Sequence, residues 1–192
     1  KEMIDISLII LSTCLGLIIL GLISAMVHLG NPRNAPYAVS NITHSWLSRE
    51  IVTINLFAVS IVLLWIVTFA DFQKGLFLIE TVSLILGIST IFTMSRVYRL
   101  KVVPVWDSIA TPMDFFGTAL LAGSVASAVL NWVISDKVYS PCLTFLIFSG
   151  FGLCLKIASI FTTISIQHSS KTLFWYASLR NKFKGQTLAH VF

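Results

Sequence analysis

The sequence predicts an all-α fold, a polytopic transmembrane helix bundle with five spans, and three observations predict it. Charged residues make up 11% and hydrophobic residues 56% of the chain, whereas soluble domains carry roughly 25% charged residues. The polar surface that a soluble monomer needs is therefore missing. Apolar windows of about 20 residues, the length that crosses a bilayer, recur at roughly 4–28, 51–70, 76–98, 115–134 and 142–166. None alternates with the period of 2 that a barrel strand requires, so helices remain as the way to satisfy backbone polar groups in lipid.

The first window runs from Ile4 to His28, and Gly30 and Pro32 beyond it are ordinary helix-ending residues. A long polar loop, Leu29–Arg49, leads to Glu50 at the mouth of the second window. The short Asp71–Gly75 connection turns the chain into the third window, whose end carries Arg96 and Arg99. Spaced three apart, those two arginines are expected on one helix face. A second long connection, Arg99–Asp114, contains Trp106. Pro112 and Asp114 then suit the start of the fourth span, with Asp114 in its first turn. After the Ser135–Pro141 turn, the fifth span holds Lys156 near its middle. Snorkelling is hard at that depth, so Lys156 is expected to face a polar cavity or to pair with a carboxylate. Residues 171–192 form a basic tail, too short and too charged to span, and read as a truncated or disordered end.

With five spans, both long loops and the tail fall on one membrane face, here termed the working face. Most of the basic side chains lie there, and charge counting alone makes it cytoplasmic. The net charge of +5 contains no basic block interleaved with aromatics, so nucleic acid is not expected as a partner. The three cysteines, Cys14, Cys142 and Cys154, sit in or beside apolar runs without a CxxC spacing, and read as small hydrophobes rather than cluster or zinc ligands. His28 is the one histidine within a span, and a two-histidine haem site has only His168 as a second ligand, so no haem and no metal are expected. The chain begins at Lys1 without a signal-peptide pattern, and a preceding segment is expected.

His28 ends one span and Glu50 begins the next, so both belong near one depth at the lip of the bundle. As a helix cap and a dipole partner they would be unremarked. Ionisable groups at membrane depth are, however, costly and default to function. A neutral imidazole beside a partly desolvated carboxylate suits proton-coupled chemistry. Arg96, Tyr98, Arg99 and Trp106 are candidates for shaping a pocket or docking a partner, although Tyr98 and Trp106 also fit an interfacial aromatic belt.

MVHLGNP followed by LSREI, and then RVY, VPVW and TPM with the succeeding FF, resembles the membrane-anchor subunit family of anaerobic dimethyl sulfoxide reductase. Gln167-His168-Ser169-Ser170 is similar to the family's segment after the corresponding span, and the resemblance runs from about Ile18 to Ser170. It implies an anchor in the bacterial inner membrane that serves anaerobic respiration. Such an anchor binds and oxidises menaquinol, carries no haem, and passes electrons to an iron–sulfur subunit and on to a molybdopterin catalytic subunit. It implies quinol-binding or proton-relay roles for His28 and Glu50. It also implies a fold of about eight spans, of which one before Lys1 and about two after the tail are absent here. Leu173–Phe192 departs from the family pattern. The resemblance favours a periplasmic working face, against the charge count. Two other readings stand beside it: a small transporter or channel, although no internal repeat appears, and a structural anchor without quinol activity.

Overall fold

The computed structural model describes the backbone of residues 2–28, 39, 41–72, 75–100, 103, 105–134 and 141–189. Side chains are described at the same positions except 2–5, 26, 28, 131, 134, 141, 142 and 170–189. Five helices follow in order: α1 (Glu2–His28), α2 (Trp46–Phe69), α3 (Leu76–Val97), α4 (Ala110–Ile134) and α5 (Pro141–Ala189). There is no strand among the described residues. All five helices are long and apolar enough to cross a membrane.

Each helix packs on its neighbour in sequence, most extensively α4 on α5 and α2 on α3. The pairs run antiparallel. Trp65 Nε1 of α2 donates to Ser12 Oγ of α1 at 3.0 Å. Thr53 and Thr93 join hydroxyls across α2 and α3 at 3.0 Å. Ser159 Oγ of α5 donates to the Ala110 carbonyl of α4 at 3.0 Å.

The interior is built from small residues. Every buried polar side chain among the described residues is a serine or threonine, and the only buried apolar ones are Ile61, Leu64 and Ala110. Large residues such as Leu20, Leu84 and Phe161 point outward. Lipid tails are as apolar as leucine, so burying leucine against leucine gains little in a membrane, and small side chains that let backbones approach set the seams. Most of the inward hydroxyls donate to a carbonyl one turn back, as Ser83 does to Ile79 at 2.8 Å and Ser95 to Phe92 at 2.7 Å. They are thereby satisfied before any partner helix arrives. The closest seam is α4 on α5, where Gly117 and Gly152 cross so tightly that an added Cβ on either would lie 3.0–3.1 Å from the other's carbonyl oxygen.

Helix ends differ from expectation in ways that follow local chemistry. α2 starts at Trp46, not Ile51, because Ser45 in extended backbone caps it, accepting from the Ser48 N–H at 3.3 Å. At its other end Ala70 is the C-cap and Asp71 takes φ 51°. The Asp71 N–H reaches the Thr68 carbonyl and the Phe72 N–H the Val67 carbonyl, both at 3.1 Å. This is the Schellman pattern, with aspartate, a tolerated left-handed residue, where glycine is usual. Gly75 then enters α3 at φ 89°, a conformation that favours glycine. α4 starts at Ala110 rather than 115, with Ser108 Oγ accepting from the Ala110 N–H at 3.2 Å.

The fifth span was expected to end at Ile166, before a separate tail. Instead α5 continues as one helix of 49 residues to Ala189, about 74 Å at 1.5 Å per residue. Its apolar window covers only Leu143–Ser169. No glycine or proline occurs from Leu153 to Lys184, so the composition changes without breaking the helix.

Candidate functional site

The working face collects the end of α1, the start of α2, the end of α3, the start of α4 and the middle of α5. Glu50 sits there in the second turn of α2, beyond the first turn, which contains no acidic residue. Its carboxylate is therefore not a simple partner of the helix dipole, whose influence fades within that first turn.

Four contacts fix the side of α2 that faces α3. The Trp46 ring meets Phe92 edge-on at 6.1 Å, and the Arg96 guanidinium lies 4.7 Å over the Trp46 ring. Thr53 bonds Thr93, and Phe57 covers Gly87. Glu50 stands four residues after Trp46 and three before Thr53, so it shares that face. It is half-buried, and among the described residues its carboxylate has neither a hydrogen-bond partner nor an ion partner.

Two arginines gather on Trp46, about one turn before Glu50. Arg49 donates from Nε to the Ile42 carbonyl at 2.8 Å and from Nη2 to the Thr43 carbonyl at 2.7 Å, tying the preceding loop to α2. Its guanidinium also lies 4.3 Å over Trp46. Trp46 thus holds two cations by their attraction to the ring's negative face. Arg96 Nε is buried with no hydrogen-bond partner among the described residues.

His28 closes α1, and its side chain lies outside the described residues, as does the loop from 29 to 38. The expected His28–Glu50 side-chain approach therefore rests on backbone depth. From the Ser12–Trp65 bond, moving about 24 Å toward the working face along each antiparallel helix reaches His28 on α1 and Arg49, beside Glu50, on α2.

Arg96 and Arg99 do not share a helix face. α3 ends at Val97 with Tyr98 as its cap, and Arg99 leaves the helix to pair with Asp107 at 3.1 Å. The expected site thus divides. Glu50 and Arg96 belong to the α2–α3 seam. Tyr98 and Trp106 line an open cavity of about 350 Å³ between α4, α5 and the connection that precedes α4. Tyr98 also packs on Phe115 at 5.3 Å between centroids.

The pairing missing from the sequence-based site is Asp114 with Lys156, joined at 2.6 Å across α4 and α5. Asp114 was expected to serve the start of α4; the helix begins earlier, and its carboxylate instead balances the lysine. The Lys156 stem lies over Gly117, where a side chain would have blocked it. One sequence signal pointed to this pair: Asp114 lies 20 residues before α4 ends at Ile134 and Lys156 lies 15 residues after α5 starts at Pro141, which brings them to within about a turn and a half of one depth on antiparallel helices. No group of three or more His, Cys, Asp or Glu side chains suited to a metal occurs among the described residues.

Five membrane-crossing helices with ionisable groups gathered at one end define a polytopic membrane subunit, with an exposed apolar surface that lipid can cover. The family model of the DMSO reductase anchor subunit (DmsC) matches residues 1–182, and the protein belongs to that family. The match extends past both ends of the resemblance read from the sequence, and the departure expected over Leu173–Phe192 does not hold as far as residue 182. The sequence is 30% identical over 174 residues to the anaerobic dimethyl sulfoxide reductase subunit YnfH of Escherichia coli, an alignment that takes in 83% of this protein and 59% of that one. It is 33% identical over 116 residues to the C subunit of anaerobic dimethyl sulfoxide reductase from the same organism, over 58% of this protein and 40% of that one. The alignments thus cover between 40% and 59% of the length of these relatives. No solved structure matches it.

Proposed function

We propose that this protein anchors a dimethyl sulfoxide reductase complex in the bacterial inner membrane and hosts oxidation of menaquinol. Electrons pass to an iron–sulfur subunit, which supplies a molybdopterin catalytic subunit that reduces dimethyl sulfoxide or a related acceptor. The observation that carries the reading is Glu50, a half-buried carboxylate without a partner among the described residues, on the helix seam at the depth where α1 ends in His28. A carboxylate so placed is expensive unless it is used.

Quinol oxidation releases two protons and two electrons. His28 accepts a hydrogen bond or a proton from one ring hydroxyl, and Glu50 relays a proton toward the loop water. Arg96, held on Trp46, lies at the same end and supplies fixed positive charge. The electrons leave to the iron–sulfur partner, so no redox group is required of the anchor itself.

The test is titration of a fluorescent quinol-site inhibitor into membranes holding the complete complex, comparing wild type, His28→Ala and Glu50→Gln. Saturable binding in wild type, weakened at least about tenfold in either variant, with quinol-dependent turnover reduced in parallel and assembly intact, supports the reading. Equal binding and turnover in all three refute the assignment of the site. No binding in wild type leaves a structural anchor.

A further inference from the structure

The cavity beside α5 is separate from the Glu50 seam, and its chemistry is specific. Its volume of about 350 Å³ lies in the range of small-molecule sites, roughly 300–1,000 Å³. Tyr98, Trp106 and Phe115 give it aromatic walls. Two of its hydroxyls are already committed: Thr111 donates to the Trp106 carbonyl at 2.6 Å and Ser159 to that of Ala110 at 3.0 Å. Four other polar groups are not. The Tyr98 hydroxyl, the Thr163 hydroxyl, the Trp106 indole N–H and Oδ2 of Asp114 have no hydrogen-bond partner among the described residues.

Charge narrows the ligand further. Asp114 is balanced by Lys156 at 2.6 Å, so the site offers no net charge to an ionic headgroup. It does offer an acceptor, two hydroxyls and an indole N–H to a neutral one. On α5 the lining residues Ile160 and Ile164 are 55% and 57% exposed, which continues the cavity onto the apolar outer surface of the bundle. An aromatic head with polar substituents fits the interior, and an apolar tail fits the surface.

We propose that this cavity is a second ring site, distinct from the His28–Glu50 lip, for a neutral dihydroxylated aromatic head bearing an apolar tail. Asp114, held by Lys156, accepts a hydrogen bond from one ring hydroxyl. Tyr98 or Thr163 meets the other. The inference rests on the reading that this protein binds quinols, and assigns them a second place to bind.

The experiment uses membranes holding the complete complex and a photoactivatable short-chain naphthoquinol, with labelled peptides mapped afterwards. Two saturable labels are expected, one near Glu50 and one on α4–α5. Thr163→Phe, which fills the cavity, lowers the second about tenfold and spares the first, whereas Thr163→Ser retains it. Glu50→Gln acts in the opposite sense. Competition of the wild-type α4–α5 label by excess unlabelled naphthoquinol keeps the test decisive if the phenylalanine variant fails to accumulate. Label confined to α1–α2 overturns the second site and leaves the quinol reading standing. An α4–α5 label that neither competes nor responds to Thr163→Phe is surface partitioning and also overturns it. No saturable label anywhere overturns both.

Discussion

Replacing Gly117 by alanine places a methyl carbon 3.0 Å from the Gly152 carbonyl oxygen and 3.2 Å from the Lys156 backbone nitrogen. Ordinary contact begins near 3.4 Å, so the shortfall is a few tenths of an ångström against backbone, which has no rotamer to change. α4 and α5 must move apart, at an overpacking cost of about 1–3 kcal/mol. Alanine also favours the helix over glycine by about 1 kcal/mol, which would obscure a measurement on Gly117 alone. Gly123 supplies the control. It lies in the same helix, and an added methyl there meets no atom within 4 Å. The propensity term cancels between the two variants, leaving Gly117→Ala less stable than Gly123→Ala by about 1–3 kcal/mol. Unfolding in mixed micelles by SDS titration, followed by tryptophan fluorescence, measures the difference. Equal stabilities within about 0.5 kcal/mol, the usual scatter of independent sites, would refute the close crossing of α4 and α5.

Two further predictions test single features of the fold. Lys156→Met and Asp114→Asn each strand a charge that the other now balances at 2.6 Å; the double variant should be more stable than the sum of the singles by about 0.5–3 kcal/mol, and strict additivity in the same unfolding assay would contradict the pair. Gly75→Ala should cost about 1–2 kcal/mol from backbone strain alone, because φ is 89° although no atom lies within 4 Å; a stabilised variant would show that the α2–α3 turn does not hold that conformation.

The existence of the five helices was legible because apolar length reports directly on lipid. Their ends were less so, because hydropathy marks where the bilayer stops and not where hydrogen bonding stops. Arg49 and Ser48 delayed the expected start of the second span, yet Ser45 had already capped the helix. The residues after Ser169 bring in Lys171, Arg180, Lys182 and Lys184 among apolar ones, yet α5 continues through them. Glu50 was legible as an ionisable group in the wrong solvent, and the face it shares with Trp46 and Thr53 follows from helical period. Arg99 misled because spacing by three implies a shared face only while the helix lasts, and here Asp107 draws it into the connection. Asp114 had a plausible local use at a helix start, which hid its longer-range use with Lys156.

The inverted interior has a consequence for how the gene can vary. The outward residues are mostly leucine, isoleucine, valine and phenylalanine, whose codons all carry uridine in the second position, so changes at their other two positions are silent or exchange one bulky apolar residue for another. Such exchanges leave a lipid-facing surface as it was. The serines, threonines and glycines of the seams have no such buffer: a single base change can bring in a branched or charged side chain where two backbones nearly touch. A random mutagenesis library scored for assembly should therefore record intolerance along the narrow hydroxyl-and-glycine stripes and leave the apolar majority nearly blank, the reverse of the map a water-soluble helical bundle of the same length would give.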